Sequence, residues 1–290
     1  MPGSVNPSRA RARSRSRREP LAAKVPEITA LFWVIKILTT GMGEATSDFL
    51  ANGNAAVAGL VGVGGFGFAL WLQFRTRRYV AAVYWFAAVM VAVFGTMAAD
   101  GLHVVLGLPY YATTALYALF LAAVLVLWHR SEGTLSIHSI TTRRREVYYW
   151  CTVLATFALG TALGDFSATT LDLGFRDSGL AFLVLIAVPL AAWWKLRMNP
   201  VPAFWFAYVV TRPLGASFAD YAGKPASIGG LGYGDGTVAA AASVVIILLV
   251  GYVTVTRSDI QRPADAAGPV DGGPVVADAA QVGAMARQYD

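Results

Sequence analysis

The chain has 290 residues, of which 56% are hydrophobic and only 14% are charged. Ordinary soluble domains carry roughly 25% charged residues, so this composition excludes a soluble enzyme and indicates an integral membrane protein. The single cysteine, Cys151, excludes an internal disulfide and a multi-cysteine metal site. Because Cys151 lies in an apolar run, we expect it to be a small packing residue.

The chain begins with a strongly basic segment. Six arginines fall within the first twenty residues: Arg9, Arg11, Arg13, Arg15, Arg17 and Arg18. A basic tail can bind nucleic acid or anionic lipid, but its place before the first apolar run favours a cytoplasmic topology signal. We therefore predict a disordered cytoplasmic tail over residues 1–24, with no specific nucleic-acid partner. The apolar run that follows is too long for a cleavable signal peptide.

Eight apolar runs follow this tail. A helix needs about 20 apolar residues to cross the membrane hydrocarbon, and backbone groups that find no water there are satisfied within helices. The predicted transmembrane helices cover approximately residues 28–51, 55–74, 80–104, 109–128, 147–172, 179–197, 201–222 and 237–256. Together they form a membrane domain over residues 25–257. Residues 258–290 lack apolar periodicity and are predicted to be a disordered cytoplasmic tail.

Every second connection between the predicted helices is basic. The basic connections carry Arg75, Arg77 and Arg78; Arg143, Arg144 and Arg145; Lys195 and Arg197; and Arg257 and Arg262. The opposite connections contain few basic residues, and the last of them, a glycine-rich stretch at 229–236, is predicted to be a flexible external loop. Basic loops stay in the cytoplasm, so both termini are predicted to be cytoplasmic in a bacterial inner membrane.

A motif recurs four times at fixed spacing. Each copy opens with an aromatic pair ending in tryptophan, has a glycine ten residues later and an aspartate fifteen residues later. The tryptophans are Trp33, Trp85, Trp150 and Trp205; the glycines are Gly43, Gly95, Gly160 and Gly215; the aspartates are Asp48, Asp100, Asp165 and Asp220. The sequence thus predicts four helical-hairpin repeats of parallel topology, at about 25–78, 79–142, 143–198 and 199–257, in a pseudo-symmetric bundle.

The motif helices are expected to form the centre of that bundle. Each glycine has a small residue four positions later, a spacing that lets membrane helices approach closely, so the glycines are predicted to pack rather than to carry chemistry. The tryptophans lie near the cytoplasmic starts of their helices. We expect them to form an interfacial belt.

Polar side chains follow one stripe of the motif helices, at positions three, seven, eleven and fifteen after each tryptophan. A charge at the membrane centre costs about 2.5–3.5 kcal/mol on insertion scales, so these groups are expected to face the bundle interior and to pair. The candidate path residues are Lys36, Thr40, Glu44, Asp48, Thr96, Asp100, Thr161, Asp165, Arg212 and Asp220. Five acids against two bases leave an excess of three negative charges, which a cation or protons would balance.

The four motif stretches, FWVIKILTTGMGEATSDF, YWFAAVMVAVFGTMAAD, YWCTVLATFALGTALGD and FWFAYVVTRPLGASFAD, resemble the repeats of an uncharacterised bacterial membrane-protein family. That family is built on the repeat called domain of unknown function 347, and its members are often labelled "membrane-anchored protein". The resemblance covers about residues 25–256. It implies an integral membrane protein with hairpin repeats, and it brings no substrate, cofactor or catalytic residue with it.

These residues are compatible with two functions. The first is a transporter or exporter of a small cation, with protons as a coupling ion, that uses Glu44 and the four aspartates as its path and Lys36 and Arg212 as gating partners. The alternative is a membrane scaffold or sensor in which the same charges form an internal salt-bridge network. No nucleophile elbow, no set of histidine ligands and no external catalytic domain is recognisable, so an enzyme is not predicted.

Overall fold

The computed structural model describes residues 23–196 and 199–260, and this part of the chain forms eight helices. In chain order their bounds are α1, Ala30–Asn52; α2, which runs through Ala55–Gly59, a π-helical turn at Leu60–Gly64 and Gly65–Arg75; α3, Ala81–Leu106; α4, Tyr110–Glu132; α5, Arg143–Asp165, extended by a π-helical turn at Phe166–Thr170; α6, Gly174–Leu196; α7, Pro200–Gly223; and α8, Asp235–Thr256. The prediction of an all-helical protein is confirmed.

Five of these helices are long and apolar enough to cross a membrane: α2, α3, α4, α5 and α8. Charged side chains such as Lys36 and Glu44 in α1, and Arg212 in α7, lower the hydropathy of the two helices that carry them. In α6 the side chains of residues 190 and 192–196 lie outside the described set. Membrane crossing by α1, α6 and α7 therefore stays a prediction.

The four odd-numbered helices, which carry the motif, form a closed ring at the centre of the molecule. Each packs against the next, and α7 packs against α1. Every motif glycine lies at one of these contacts, opposite the residue seven positions after the tryptophan of the following repeat. The pairs are Gly43 with Ala92, Gly95 with Phe157, Gly160 with Arg212, and Gly215 with Thr40.

One register therefore holds all the way around the ring, and the inner helices run side by side in the same direction. Their starts form what we call the tryptophan end, and their finishes form the aspartate end. The four glycine contacts set the same relative height between neighbouring inner helices. Residues at the same motif position therefore lie near one another across the ring.

The outer, even-numbered helices do not pack mainly within their own repeat. The most extensive contacts of α2, α4, α6 and α8 are with α3, α5, α7 and α1 respectively. The two helices of each predicted hairpin are therefore not each other's main partners, since each second helix covers the motif helix of the following repeat. The small-residue faces of the inner helices are already occupied by their neighbours in the ring, which leaves their outward faces for these contacts.

Two expectations for individual side chains are wrong. Three of the four tryptophans do not belong to an interfacial belt, because Trp85, Trp150 and Trp205 are 5% exposed or less and pack against other rings in the interior, whereas Trp33 is half-buried. The indole of Trp205 also donates a 3.0 Å hydrogen bond to the Leu135 carbonyl. Cys151 is not an interior packing residue, since its side chain is exposed.

Residues from both predicted tails contact the helices at the tryptophan end. The Lys24 ammonium lies 2.6 Å from Glu146, and both residues are buried. Asp259 is also buried and accepts a 2.5 Å hydrogen bond from the Tyr79 hydroxyl. The backbone N–H of Glu27 donates to the Asp259 carbonyl at 2.8 Å, so the two ends of the domain meet. Residues 1–22 and 261–290 of the predicted tails lie outside the described residues.

Candidate functional site: a charged centre in the helix ring

Four side chains, one from each repeat, meet inside the ring. Arg212 of α7 forms a buried ion pair with Glu44 of α1 and donates hydrogen bonds to Thr96 of α3 and, at 2.6 Å, to Thr161 of α5. The exposed fractions of the Arg212 and Glu44 side chains are 0% and 5%. An ion pair that is removed from water in this way requires good geometry and further hydrogen bonds to be stable.

The repeat register explains this meeting. Glu44, Thr96 and Thr161 occupy the position eleven residues after the tryptophan in three repeats, where the fourth has Ala216. Thr96 and Thr161 donate their own hydroxyl hydrogens to carbonyls one turn earlier, at 3.0 and 3.1 Å. Their lone pairs are therefore available to accept from the guanidinium.

Three carboxylates come together next to this pair, towards the aspartate end. One oxygen each from Glu44, Asp165 and Asp220 lies within 4.8 Å of the others. They belong to α1, α5 and α7, and Glu44 and Asp220 are buried while Asp165 is half-buried. Carboxylate oxygens at this spacing are the ligands that hard cations such as Mg²⁺, Ca²⁺ and Mn²⁺ prefer.

The remaining two motif aspartates lie at the rim of this group. Asp100 is half-buried and within electrostatic range of Glu44, Asp165 and Asp48. Asp48 is held by Lys224, whose ammonium is 2.5 Å away. The four aspartates therefore gather at one end of the ring, although only Asp165 and Asp220 join Glu44 in the close triad.

Lys224 and Asp235 belong to this region but were not among the predicted site residues. Lys224 lies 3.6 Å from Asp235 and 3.9 Å from Asp220, in addition to its contact with Asp48. The only sequence signal is that Lys224 follows Asp220 by four residues, a spacing at which opposite charges on a helix attract. With both included, six carboxylates face three cations, and the excess of three negative charges is unchanged.

The glycine-rich loop after Lys224, which was predicted to be flexible, is joined to the end of α7 by backbone hydrogen bonds. The N–H groups of Leu231, Tyr233 and Gly234 donate to the carbonyls of Tyr221, Ala222 and Gly223 at 2.7, 3.1 and 3.0 Å. Gly229, Gly232 and Gly234 have φ of 90°, 78° and 83°, a left-handed conformation that glycine adopts without strain. The turn thus covers the last turn of α7 and leads directly into Asp235 at the start of α8.

Two predicted site residues lie nearer the tryptophan end. Lys36 is 1% exposed, and its ammonium has no hydrogen-bond partner among the described residues and lies 4.4 Å from the ring centroids of both Phe157 and Tyr208. Thr40 bonds to backbone carbonyls, that of Ile37 at 2.6 Å and that of Thr211 at 3.2 Å. Thr40 therefore joins α1 to α7 and does not contact the charged centre.

An aromatic layer closes the ring at the tryptophan end. Phe32 packs against Trp85 and Phe204, with centroids 5.7 and 6.3 Å apart. The hydroxyl groups of Tyr84 and Tyr149 are hydrogen-bonded to each other in the interior. At the opposite, aspartate end Asp48, Asp100 and Asp165 are only half-buried, so this end of the ring is the less closed of the two.

Comparison with known proteins agrees with this architecture. The model of the Repeat of Unknown Function (DUF347) matches the chain four times, at residues 31–79, 83–134, 148–199 and 203–259. The chain belongs to the DUF347 repeat family. Each match begins at an inner helix and ends after the outer helix that follows it. No curated protein and no solved structure matches the chain.

The repeats and the apolar helices together identify the general class of this DUF347 protein. Five helices are long and apolar enough to cross a membrane. Of these, α3 and α5 belong to the ring with the charged interior, and α2, α4 and α8 pack around it. The protein is a multi-pass membrane protein.

Proposed function

We propose that this DUF347 protein transports a small cation across the bacterial inner membrane, and that protons use the same carboxylates. The observation that carries the proposal is the triad of Glu44, Asp165 and Asp220, which are donated by three separate inner helices and approach one another within 4.8 Å. Such an arrangement forms only when several repeats assemble. The proposal includes no enzymatic activity.

All eight helices span the membrane in this proposal, with both termini in the cytoplasm. The basic residues Arg75, Arg143 and Arg145 lie at the tryptophan end, where Arg143 donates to the Phe74 carbonyl at 2.5 Å and Arg145 pairs with Glu132 at 2.9 Å. The positive-inside rule assigns such an end to the cytoplasm. The aspartate end then faces the outside.

Charge balance supports a cationic substrate. Ionised groups inside a membrane are expensive and are paired or involved in transport. The six carboxylates of the candidate site outnumber its three cationic side chains by three, and a bound cation together with protons would neutralise the excess. Because carboxylate oxygens bind hard cations, the site favours an inorganic ion over a bulky organic one.

The route follows from the two ends of the ring. A cation enters among Asp48, Asp100 and Asp165, reaches the triad, and is stopped by the Arg212–Glu44 pair and the aromatic layer. Passage to the cytoplasm then requires Arg212 to release Glu44. Since Arg212 and the cation compete for the same carboxylate, binding of the cation favours that release.

The salt-bridge network of a scaffold or sensor is the second candidate, and the pairing of Arg212 with acceptors from the other three repeats favours it. A scaffold requires the charges only for stability. In that case no ion crosses the membrane, and neutralising the carboxylates changes stability without changing any flux.

Flux into proteoliposomes separates the two functions. We expect the wild-type protein to move at least one of Na⁺, K⁺, Mg²⁺, Ca²⁺ and Mn²⁺, or protons, and the Glu44→Gln, Asp165→Asn and Asp220→Asn variants to lose that flux. Asp177→Asn is the matched control, because Asp177 is an exposed carboxylate at the start of α6. Equal fluxes of all these ions through wild-type, site variants and empty vesicles would reject transport.

A further inference from the structure

We infer that Lys224 is a tethered competing cation, whose ammonium must leave the aspartate end of the ring before an external cation reaches Asp220. The inference deepens the proposed transport function and rests on it. Because Lys224 competes with the ion for Asp220, it lowers the affinity of the carboxylate site for that ion.

The contacts of Lys224 are those of a bound cation. Its ammonium lies 2.5 Å from Asp48, 3.6 Å from Asp235 and 3.9 Å from Asp220. These carboxylates come from α1, α8 and α7, so the group joins three helices. Asp220 also belongs to the triad with Glu44 and Asp165. One carboxylate is therefore shared between the lysine and the proposed ion site.

The backbone of Lys224 is fixed, while its side chain borders solvent. Its N–H donates to the Asp220 carbonyl at 2.8 Å, and its own carbonyl accepts from Gly232 at 2.9 Å. Gly230 packs directly against the Lys224 carbonyl, where a side chain would not fit. The Lys224 side chain is 20% exposed, so its ammonium borders solvent, and the outward movement that the inference requires involves the side chain rather than this fixed backbone.

The surrounding carboxylates keep the lysine charged. Burial lowers the pKa of Lys224, but the carboxylates of Asp48, Asp220 and Asp235 outweigh it and raise that pKa above its ordinary value of 10.5. The three carboxylates thus favour the charged form of Lys224. A group tethered beside its partners acts at a high effective concentration, so a free cation has to compete with it.

Removal of the ammonium should therefore strengthen cation binding. In Lys224→Gln the carboxylates lose their internal partner and gain one uncompensated negative charge, whereas Lys224→Arg retains the competitor. Arg176→Gln is the matched control for net charge, because Arg176 is an exposed cation on the same side of the molecule. If the loss of one positive charge anywhere on the protein were enough to strengthen cation binding, Lys224→Gln and Arg176→Gln would bind the cation equally tightly.

The experiment is a titration of the purified full-length protein in detergent with MgCl₂, CaCl₂, MnCl₂ and NaCl, followed by the midpoint of thermal unfolding. A ligand that binds the folded state raises this midpoint as its concentration passes the dissociation constant. We expect Lys224→Gln to bind its preferred ion roughly tenfold or more tightly, and Lys224→Arg and Arg176→Gln to match the wild type.

A labelling measurement on the wild-type protein avoids reliance on a variant that fails to fold. Addition of the bound ion should expose Lys224 and raise its reaction rate with a water-soluble amine reagent several-fold, as measured by mass spectrometry of the peptide. Two results would overturn the inference and leave the transport proposal in place. The first is an ion that binds Lys224→Gln and the wild type with the same affinity, and the second is an ion that binds the wild type without changing the labelling rate of Lys224. Absence of stabilisation by any of the ions in wild type and Lys224→Gln alike overturns both.

Discussion

Gly95 of α3 lies directly against Phe157 of α5: a methyl group added at Gly95 would come within 2.7 Å of the Phe157 Cβ. The same contact recurs between each pair of neighbouring inner helices. Because the obstructing atom is attached to the backbone, the two helices would have to separate to make room.

Gly95→Ala should therefore destabilise the protein by about 1–3 kcal/mol, the usual effect of overpacking a filled interface. Gly101→Ala in the same helix is the control, since a side chain there meets nothing within 4 Å. That variant should differ from wild type by no more than about 1 kcal/mol, the gain in helix propensity. Unfolding in mixed detergents gives both values, and equal stability of the two variants would contradict the close contact.

The Arg212–Glu44 pair should depend strongly on having both partners. Arg212→Met leaves Glu44 buried without a counter-charge, and breaking a buried pair in this way costs about 3–5 kcal/mol. Replacing both residues, as in Arg212→Met with Glu44→Met, removes the unpaired charge and should recover most of that loss. The difference is measured in a double-mutant cycle of unfolding free energies. A double variant as unstable as the sum of the two single variants would show that the residues do not interact.

Lys36→Met should stabilise the protein or leave its stability unchanged. The contacts of the Lys36 ammonium with Phe157 and Tyr208 are cation–π interactions, each worth about 0.5–2 kcal/mol. The effective penalty for taking an ammonium out of water is several kcal/mol, and methionine fills a similar volume without it. Thermal unfolding in detergent tests this. A lower unfolding temperature for Lys36→Met would show that the ammonium has a stronger partner than two aromatic rings.

Asp259 should make stability fall as pH rises. Burial raises the pKa of Asp259 above its ordinary value of 3.8, although the hydrogen bond from Tyr79 acts in the opposite direction. A carboxyl group whose pKa is higher in the folded state binds its proton preferentially when folded. Its stabilising contribution is therefore full below 3.8 and is lost as pH rises through the folded value.

Stability curves against pH for wild type and Asp259→Asn test this assignment. The amide side chain of that variant cannot titrate, so the wild type should lose stability relative to the variant over the interval just above pH 3.8. Tyr79→Phe removes the hydrogen bond that lowers the pKa of Asp259, so it should extend the loss to higher pH. Parallel curves for all three proteins would contradict a raised pKa at Asp259.

Much of the helical architecture and the pairing of buried charges at the centre could be predicted from the sequence. Trp, Gly and Asp at equal offsets predicted a common register, and the cost of a buried charge predicted that Arg212 would meet an acid such as Glu44. Both arguments depend on distances within one helix, which the helical repeat fixes. The assignment of these residues to ion transport stays a proposal.

Features that depend on which helices become neighbours could not be predicted. Cys151 lies in an apolar run whether it faces a neighbouring helix or the outside, and only the packing decides between them. The position of Lys224 depends on hydrogen bonds that a glycine-rich loop forms with the end of α7. The pairing of each outer helix with the following repeat has no signal in the spacing of residues, because either inner helix offers an apolar face.

Because the ring is closed, the last repeat packs against the first in the same way as any repeat packs against the next. Glu27 and Asp259 are joined by a backbone hydrogen bond, and α8 lies against α1 just as α2 lies against α3. A short linker between these two residues would let the chain be opened at another connection, so the protein is a natural subject for circular permutation.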